Sequence, residues 1–214
     1  MSAENIEVFG QNSIRVTGQI GRIYIDPFGI PDIFHDAAYV FVTHDHYDHF
    51  SPEDIEKVCN ENTILIVPEK MEKKARKVAG LVKAIVPVTP GFSGEVDGFR
   101  FETVPAYNIL KPFHPKSAKW VGYILIVDGQ RIYIAGDTDA TKEAEKVKCD
   151  VALVPIGGTY TMDPKKAAEL VNTISPAVTI PVHYGSIVGK PSDGETFAQC
   201  VDENIKVEFK ICFE

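Results

Sequence analysis

Val42-Thr43-His44-Asp45-His46-Tyr47-Asp48-His49 puts four potential metal ligands into six positions. The run leaves an apolar stretch, 38–42, that reads as a strand. It enters Ser51-Pro52-Glu53-Asp54, a helix start with serine as N-cap and proline at the first helical position. In extended chain, residues two apart point the same way, so His44 and His46 can share one metal while Asp45 and Tyr47 turn away. Asp48 and His49 come as the chain bends into the helix, and would face a second ion from the other side. Imidazole mixed with carboxylate oxygen suits zinc, manganese or iron rather than calcium. Only six histidines occur in the chain, and three of them fall here, which argues against a run of ordinary surface residues.

Two more strand ends repeat the pattern. Ile132-Tyr133-Ile134-Ala135-Gly136-Asp137-Thr138 sets a carboxylate where an apolar strand stops, after two small residues that permit close approach. Val178-Thr179-Ile180-Pro181-Val182-His183 does the same with a histidine. Alone, Asp137 reads equally as a helix cap and His183 as a core histidine; the shared pattern of strand end followed by ligand favours a metal role for both.

Outward from these motifs, β-branched runs at 6–9, 13–17, 22–25 and 38–42 read as strands, as do 63–67, 84–88, 99–105, 121–127, 131–135, 151–154, 177–181 and 205–212. Asp128-Gly129 joins two of them as a hairpin turn. Helices are expected near 69–78 and 138–146, from Asp163-Pro164 to about 174, and from Ser192-Asp193-Gly194-Glu195, which has capping-box spacing, to about 203. Strands first and helices later in both halves suit an α/β four-layer αββα sandwich, with two facing mixed sheets and helices outside; periodicity alone leaves several other α/β folds open.

A length of 214 residues without linker, repeat or low-complexity stretch fits a single domain over 1–214. A net charge of −8 argues against nucleic acid or an anionic membrane as partner and leaves room for a small phosphorylated substrate; a homo-oligomer stays open. The four cysteines are scattered, which points to reduced thiols rather than a disulfide framework. The first residues lack signal-peptide features and no apolar segment approaches membrane-spanning length, so a cytoplasmic location is expected.

The series His44-x-His46-x-Asp48-His49, then Gly136-Asp137-Thr138, then His183 resembles the metal site of the metallo-β-lactamase-fold hydrolases. Val104-Pro105-Ala106-Tyr107-Asn108, Lys111-Pro112-Phe113-His114-Pro115 and Pro155-Ile156-Gly157-Gly158-Thr159-Tyr160 resemble its small branch related to ascorbate-6-phosphate lactonase. The resemblance implies two divalent ions, zinc or manganese with iron as a further option. By position, His44 and His46 would hold the first and Asp48, His49 and His183 the second, with Asp137 between them. The family's remaining histidine on the first ion would be His114, reached from a longer loop than in many relatives, where the ligand falls near Tyr107 or Asn108. Asp26 matches an early aspartate that orients a ligating histidine; a plain turn aspartate before Pro27 is the alternative. His35 matches nothing and reads as structural or exposed.

The implied chemistry is hydrolysis by a metal-bridging hydroxide, oriented by Asp48, on a small anionic substrate such as a lactone or phosphoester. Lys111, Lys116 and Lys119 are candidates to hold the anion, or are merely solvated. Tyr160 and Tyr184 are candidates to line the pocket, or pack in the core. Competing readings are a mononuclear-iron persulfide dioxygenase, a phosphodiesterase or nuclease, and a non-catalytic metal-binding domain. The complete ligand set speaks against the first and the last.

Overall fold

A computed structural model describes residues 3–213. The first sheet holds β1 (Ile6–Gly10), β2 (Ser13–Gly18), β3 (Gly21–Ile25), β4 (Ala37–Phe41), β5 (Ile64–Pro68) and β6 (Ala84–Val88), in that spatial order. The second holds β7 (Ser93–Val96), β8 (Phe99–Pro105), β9 (Val121–Val127), β10 (Gln130–Ile134), β11 (Val151–Pro155), β12 (Val178–Val182) and β13 (Lys206–Val207), also in chain order from one edge to the other. Each sheet begins as an antiparallel meander and turns parallel part-way, at β3–β4 and at β10–β11. Both are therefore mixed.

Side-chain alternation explains the layers. Ile23, Ile25, Tyr39, Phe41, Ile64 and Ile66 point inward to meet Phe99, Phe101, Tyr123, Leu125, Ile134 and Leu153 of the other sheet. Phe41 is the centre of this contact, with ring centroids 4.9 Å from Tyr123 and 5.0 Å from Phe101. The intervening residues Tyr24, Val40, Leu65 and Val67 face outward beneath α1 (Pro52–Val58) and α2 (Glu72–Ala75). On the far side, Ala152, Val154 and Tyr133 lie under α3 (Pro164–Ile174) and α4 (Asp193–Cys200). The result is the four-layer αββα sandwich expected from the sequence. Strands β4, β5, β11 and β12 are buried on both faces, which is why they read as continuous apolar runs.

Several elements differ from expectation. The charged helix near 69–78 is broken into 3₁₀ turns at Glu69–Met71 and Arg76–Leu81 around a single α turn, with only Met71, Ala75 and Val78 buried along it. The helix near 138–146 shrinks to a 3₁₀ turn, Ala144–Lys146. There the Thr138 hydroxyl donates to the carbonyls of Tyr107 and Asp139, and the Thr141 hydroxyl takes the amide of Ala144, so local side-chain bonds replace helical ones. Ser192 makes no capping bond; Asp193 accepts from the Lys190 amide instead, and α4 ends at Cys200. The last strand pairs only over Lys206–Val207. Edge strand β7 was not foreseen because Ser-Gly-Glu-Val lacks an apolar face. Its signal was Asp97-Gly98, whose positive φ values (49° and 88°) make the same hairpin turn as Asp128-Gly129 (50° and 80°).

At one end of the sandwich the two sheets are stitched by polar bonds. The Tyr123 hydroxyl donates to the Val42 carbonyl at 2.7 Å, and the His183 amide donates to the Gln11 carbonyl at 2.8 Å. Within the second sheet Gly122 lets β9 run close to the end of β10: a Cβ there would stand 2.6 Å from the carbonyl oxygens of Ile134 and Ala135. Because those atoms are backbone and cannot swing aside, Gly122→Ala is expected to cost about 1–3 kcal/mol, read as a lower urea midpoint at unchanged m.

Candidate metal centre

The site grows from a buried carboxylate. Asp26 follows β3 with φ of 46° and is fully buried. It accepts from the Thr43 amide (2.7 Å), the Thr43 hydroxyl (2.6 Å) and the Asn12 side-chain amide (2.7 Å). His49 Nδ1, 2.7 Å away, donates to the same carboxylate, which turns Nε2 toward the cleft. Since the Thr43 hydroxyl donates to Asp26, it accepts from His44 Nδ1 at 3.0 Å. One aspartate and one threonine thus set the ring tautomers of two histidines.

The β4 and β10 ends then converge. Gly136, at φ 64°, lies against Thr43, whose Cβ would be only 3.0 Å from a Cβ on the glycine. That closeness brings Asp137 between two groups of side chains. Asp137 Oδ2 lies 3.9 Å from His44 Nε2 and 3.3 Å from His114 Nε2. Oδ1 lies 3.4 Å from His49 Nε2 and 3.3 Å from His183 Nε2. Donor atoms of His44, His46, His114 and Asp137 fall within 4.8 Å of one another, and so do those of Asp48, His49 and His183. His114 arrives from the 107–119 loop and is fully buried; its Nδ1 donates to Asn108 Oδ1 at 2.9 Å, which leaves Nε2 for the site.

His49 Nε2, His114 Nε2 and Asp137 Oδ1 are buried without a hydrogen-bond partner. Leaving such atoms bare is costly, and imidazole nitrogens facing carboxylate oxygens match what a transition-metal or zinc ion binds. The residues fit two divalent ions, one per group. The electrostatics agree. Burial opposes charge on His49, yet Asp137, Asp26 and Asp48 outweigh it and push its pKa up to about 9. Burial, with the neighbouring His49, keeps His44 well below the usual histidine range. Asp48 and Asp137 resist burial because the surrounding histidines hold them ionised, Asp48 at about 2. Two aspartates among five imidazoles therefore form an anionic floor awaiting positive charge.

Two residues at this site gave no sequence signal. Gln11, in the β1–β2 turn with φ 47°, places Nε2 3.2 Å from Asp48 Oδ2 and 3.4 Å from His183 Nε2, while its Oε1 accepts from Ser186. Trp120, the only tryptophan, packs at 5.0–5.4 Å against His44, His46 and His114. Only folding brings them here.

A cleft of about 280 Å³ opens over the floor, lined by His46, Asp48, Asp137 and His183 below and by Tyr47, Phe113, Tyr160 and Ile187 at the walls. Tyr47, expected to turn away, stands on its rim; Asp45 does turn away, toward Lys74. The lysines do not line this cleft. Lys111 binds Asp139 (2.6 Å) and the Thr161 carbonyl, and Lys116 binds Glu143 (2.8 Å). Lys116 and Lys119 border a separate groove beside Tyr107. The expectation of an anion held by these lysines loses its footing, because acidic partners already take Lys111 and Lys116. Tyr184 is buried against Phe213 and α4, in the core rather than the pocket, and His35 is exposed with Nδ1 on the Cys59 carbonyl.

The sequence matches the Beta-lactamase superfamily domain over residues 5–183, a span that includes all seven candidate ligand positions from His44 to His183. The chain belongs to the metallo-β-lactamase superfamily. Curated relatives are similar over most of their length: a UPF0173 metal-dependent hydrolase of Pyrococcus abyssi is 32% identical over 201 residues, 87% of each chain. One from Nanoarchaeum equitans is 34% identical over 179 residues, 77% of each. Among solved structures, a putative metal-dependent hydrolase from Parabacteroides distasonis superposes with a TM-score of 0.80 at 29% identity, covering 97% of this chain and 93% of that one. This superfamily member is a metal-dependent hydrolase. Among the described residues no helix is long and apolar enough to cross a membrane.

Asp26→Ala frees His49 to rotate and is expected to weaken the ion at Asp48, His49 and His183 about 10–100-fold, measured by chelator competition. An unchanged affinity would show that Asp26 serves only the fold.

Proposed function

We propose that this hydrolase works with two divalent ions, zinc or manganese, held by His44, His46 and His114 on one side and Asp48, His49 and His183 on the other. Asp137, between the two groups, would be shared by both ions. The observation that carries this reading is the split carboxylate of Asp137, with one oxygen toward each group at 3.3–3.9 Å. When bound, such a pair supplies a hydroxide at neutral pH and an electrophile for a carbonyl or phosphoryl oxygen, as cleavage of a lactone or phosphoester-like bond requires.

The chain's own residues do the positioning. Asp48 faces the cleft and, held ionised by the neighbouring His183 and His49, would accept a hydrogen bond from an attacking water and so orient it. Gln11 fixes Asp48 by donating to it. Asp26, Thr43 and Asn108 keep three histidines aimed inward, so the site is set before substrate arrives. Ligands run from 44 to 183 with Gln11 behind them, which supports one catalytic domain spanning 1–214.

Elemental analysis of protein purified without chelator or added metal should give close to two zinc or manganese ions per chain. A single iron with persulfide-dependent oxygen uptake would overturn the reading in favour of a dioxygenase. Against a panel of lactones and phosphodiesters, His44→Ala and Asp48→Asn should lose activity about a thousandfold or more while keeping a cooperative urea transition. Full activity in either variant would refute the assignment.

A further inference from the structure

Ten large apolar side chains stand exposed among the described residues, and four of them, Tyr47, Phe113, Tyr160 and Ile187, line the one cleft over the metal floor. Ile109 and Leu110, exposed at 59% and 94%, lie on the same loop as Phe113. Scattered exposed apolar residues need no explanation, but their gathering at a functional cleft does. In a chain of net charge −8, no lysine or arginine lines that cleft.

The walls are also fixed to the floor. Phe113 and Tyr160 meet edge to face, with centroids 4.8 Å apart at 89°, and Tyr47 is braced the same way by Phe28 at 6.0 Å and 79°. Asn108 holds both parts: Oδ1 accepts from His114, and its amide nitrogen donates to the Tyr160 carbonyl at 3.0 Å. On the opposite wall, Ser186 beside Ile187 donates to Gln11, which donates to Asp48. Tyr160 is thus tied to His114 through Asn108, and Ser186, beside Ile187, to Asp48 through Gln11, two hydrogen bonds in each case. A group held against Tyr160, Phe113 and Ile187 would lie in the same cleft as Asp48, Asp137 and His183.

We infer that the substrate carries an uncharged, apolar acyl or aryl group next to the scissile bond, as in an ester, thioester or lactone with an alkyl or aromatic arm, and that Phe113, Tyr160, Tyr47 and Ile187 select it. This rests on the metal-site reading above. The chemistry balances as hydrolysis: water's oxygen bonds to the acyl carbon as the acyl–oxygen or acyl–sulfur bond breaks. The leaving alkoxide or thiolate takes one proton, and the new acid releases the other to solvent as it becomes a carboxylate.

Three hydroxamates separate the two layers of the argument, titrated by calorimetry into the zinc- or manganese-loaded protein. Acetohydroxamate reports the metal floor alone; hexanohydroxamate adds an apolar arm; adipic monohydroxamate ends an arm of the same chain length in a carboxylate. Hexanohydroxamate is expected to bind at least about tenfold more tightly than either of the others, since each buried methylene favours binding. Phe113→Ala and Tyr160→Ala, surface changes that leave the core intact, should erase most of its advantage. If acetohydroxamate binds but the apolar arm adds nothing, or the carboxylate arm binds as well, the substrate class is overturned while the metal site stands. If acetohydroxamate fails to bind the loaded protein, the metal-site reading falls, and the pocket with it.

Discussion

Asp26 carries a carboxylate with no solvent around it, and the setting of His44 and His49 at the candidate metal centre follows from how that group is satisfied. A buried anion must find donors or be neutralised. Here the donors are the amide and hydroxyl of Thr43, the side chain of Asn12 and the ring of His49. Meeting that demand pins the end of β4 to the end of β3, orients His49 directly, and orients His44 through the threonine. Four donors meet the Asp26 carboxylate, and such a connected set of polar bonds stiffens the core around it. Gly136 can then press against Thr43 and deliver Asp137 from the opposite sheet.

Much of this was legible in the sequence where local geometry decides it. The period of two in extended chain, applied to Val42–His46, separates His44 and His46 from Asp45, and the structure shows Asp45 turned to Lys74. The apolar runs that end at Asp137 and His183 gave both strands their place, because strands buried on two faces leave little choice of partner. The order of strands and helices suited the sandwich but left other α/β folds open, and the resemblance of the ligand motifs to a known family singled it out. Tyr47 escaped the same rule, since the chain is already bending into its turn there.

What local patterns could not give is proximity across the chain. Gln11 sits in a short turn with no ligand type in it, and only the pairing of the sheet edges sets it beside Asp48 and His183. Trp120 and Asn108 acquire meaning from a loop whose path is tertiary. The lysines near His114 misled for the complementary reason: their neighbours in sequence suggested an anion site, whereas Asp139 and Glu143, distant in sequence, already hold Lys111 and Lys116. The helix expected at 138–146 failed because threonine hydroxyls, good at local backbone bonds, outcompeted the helical ladder.

The Gln11–His183 contact joins positions separated by 172 residues, and it bears on how the protein comes into being. During synthesis the first sheet can form early, yet neither ligand group is closed until strands from the second half have docked, since each draws on both sheets. Loop closure over such a span carries an entropic penalty that only late contacts repay. An ion held there would draw on His44 and His46 from one sheet and His114 and Asp137 from the other, fastening the two together. By mass action it deepens the native well in proportion to the logarithm of free metal. Metal supply in the cell would then govern how long each molecule lasts, as well as how fast it works.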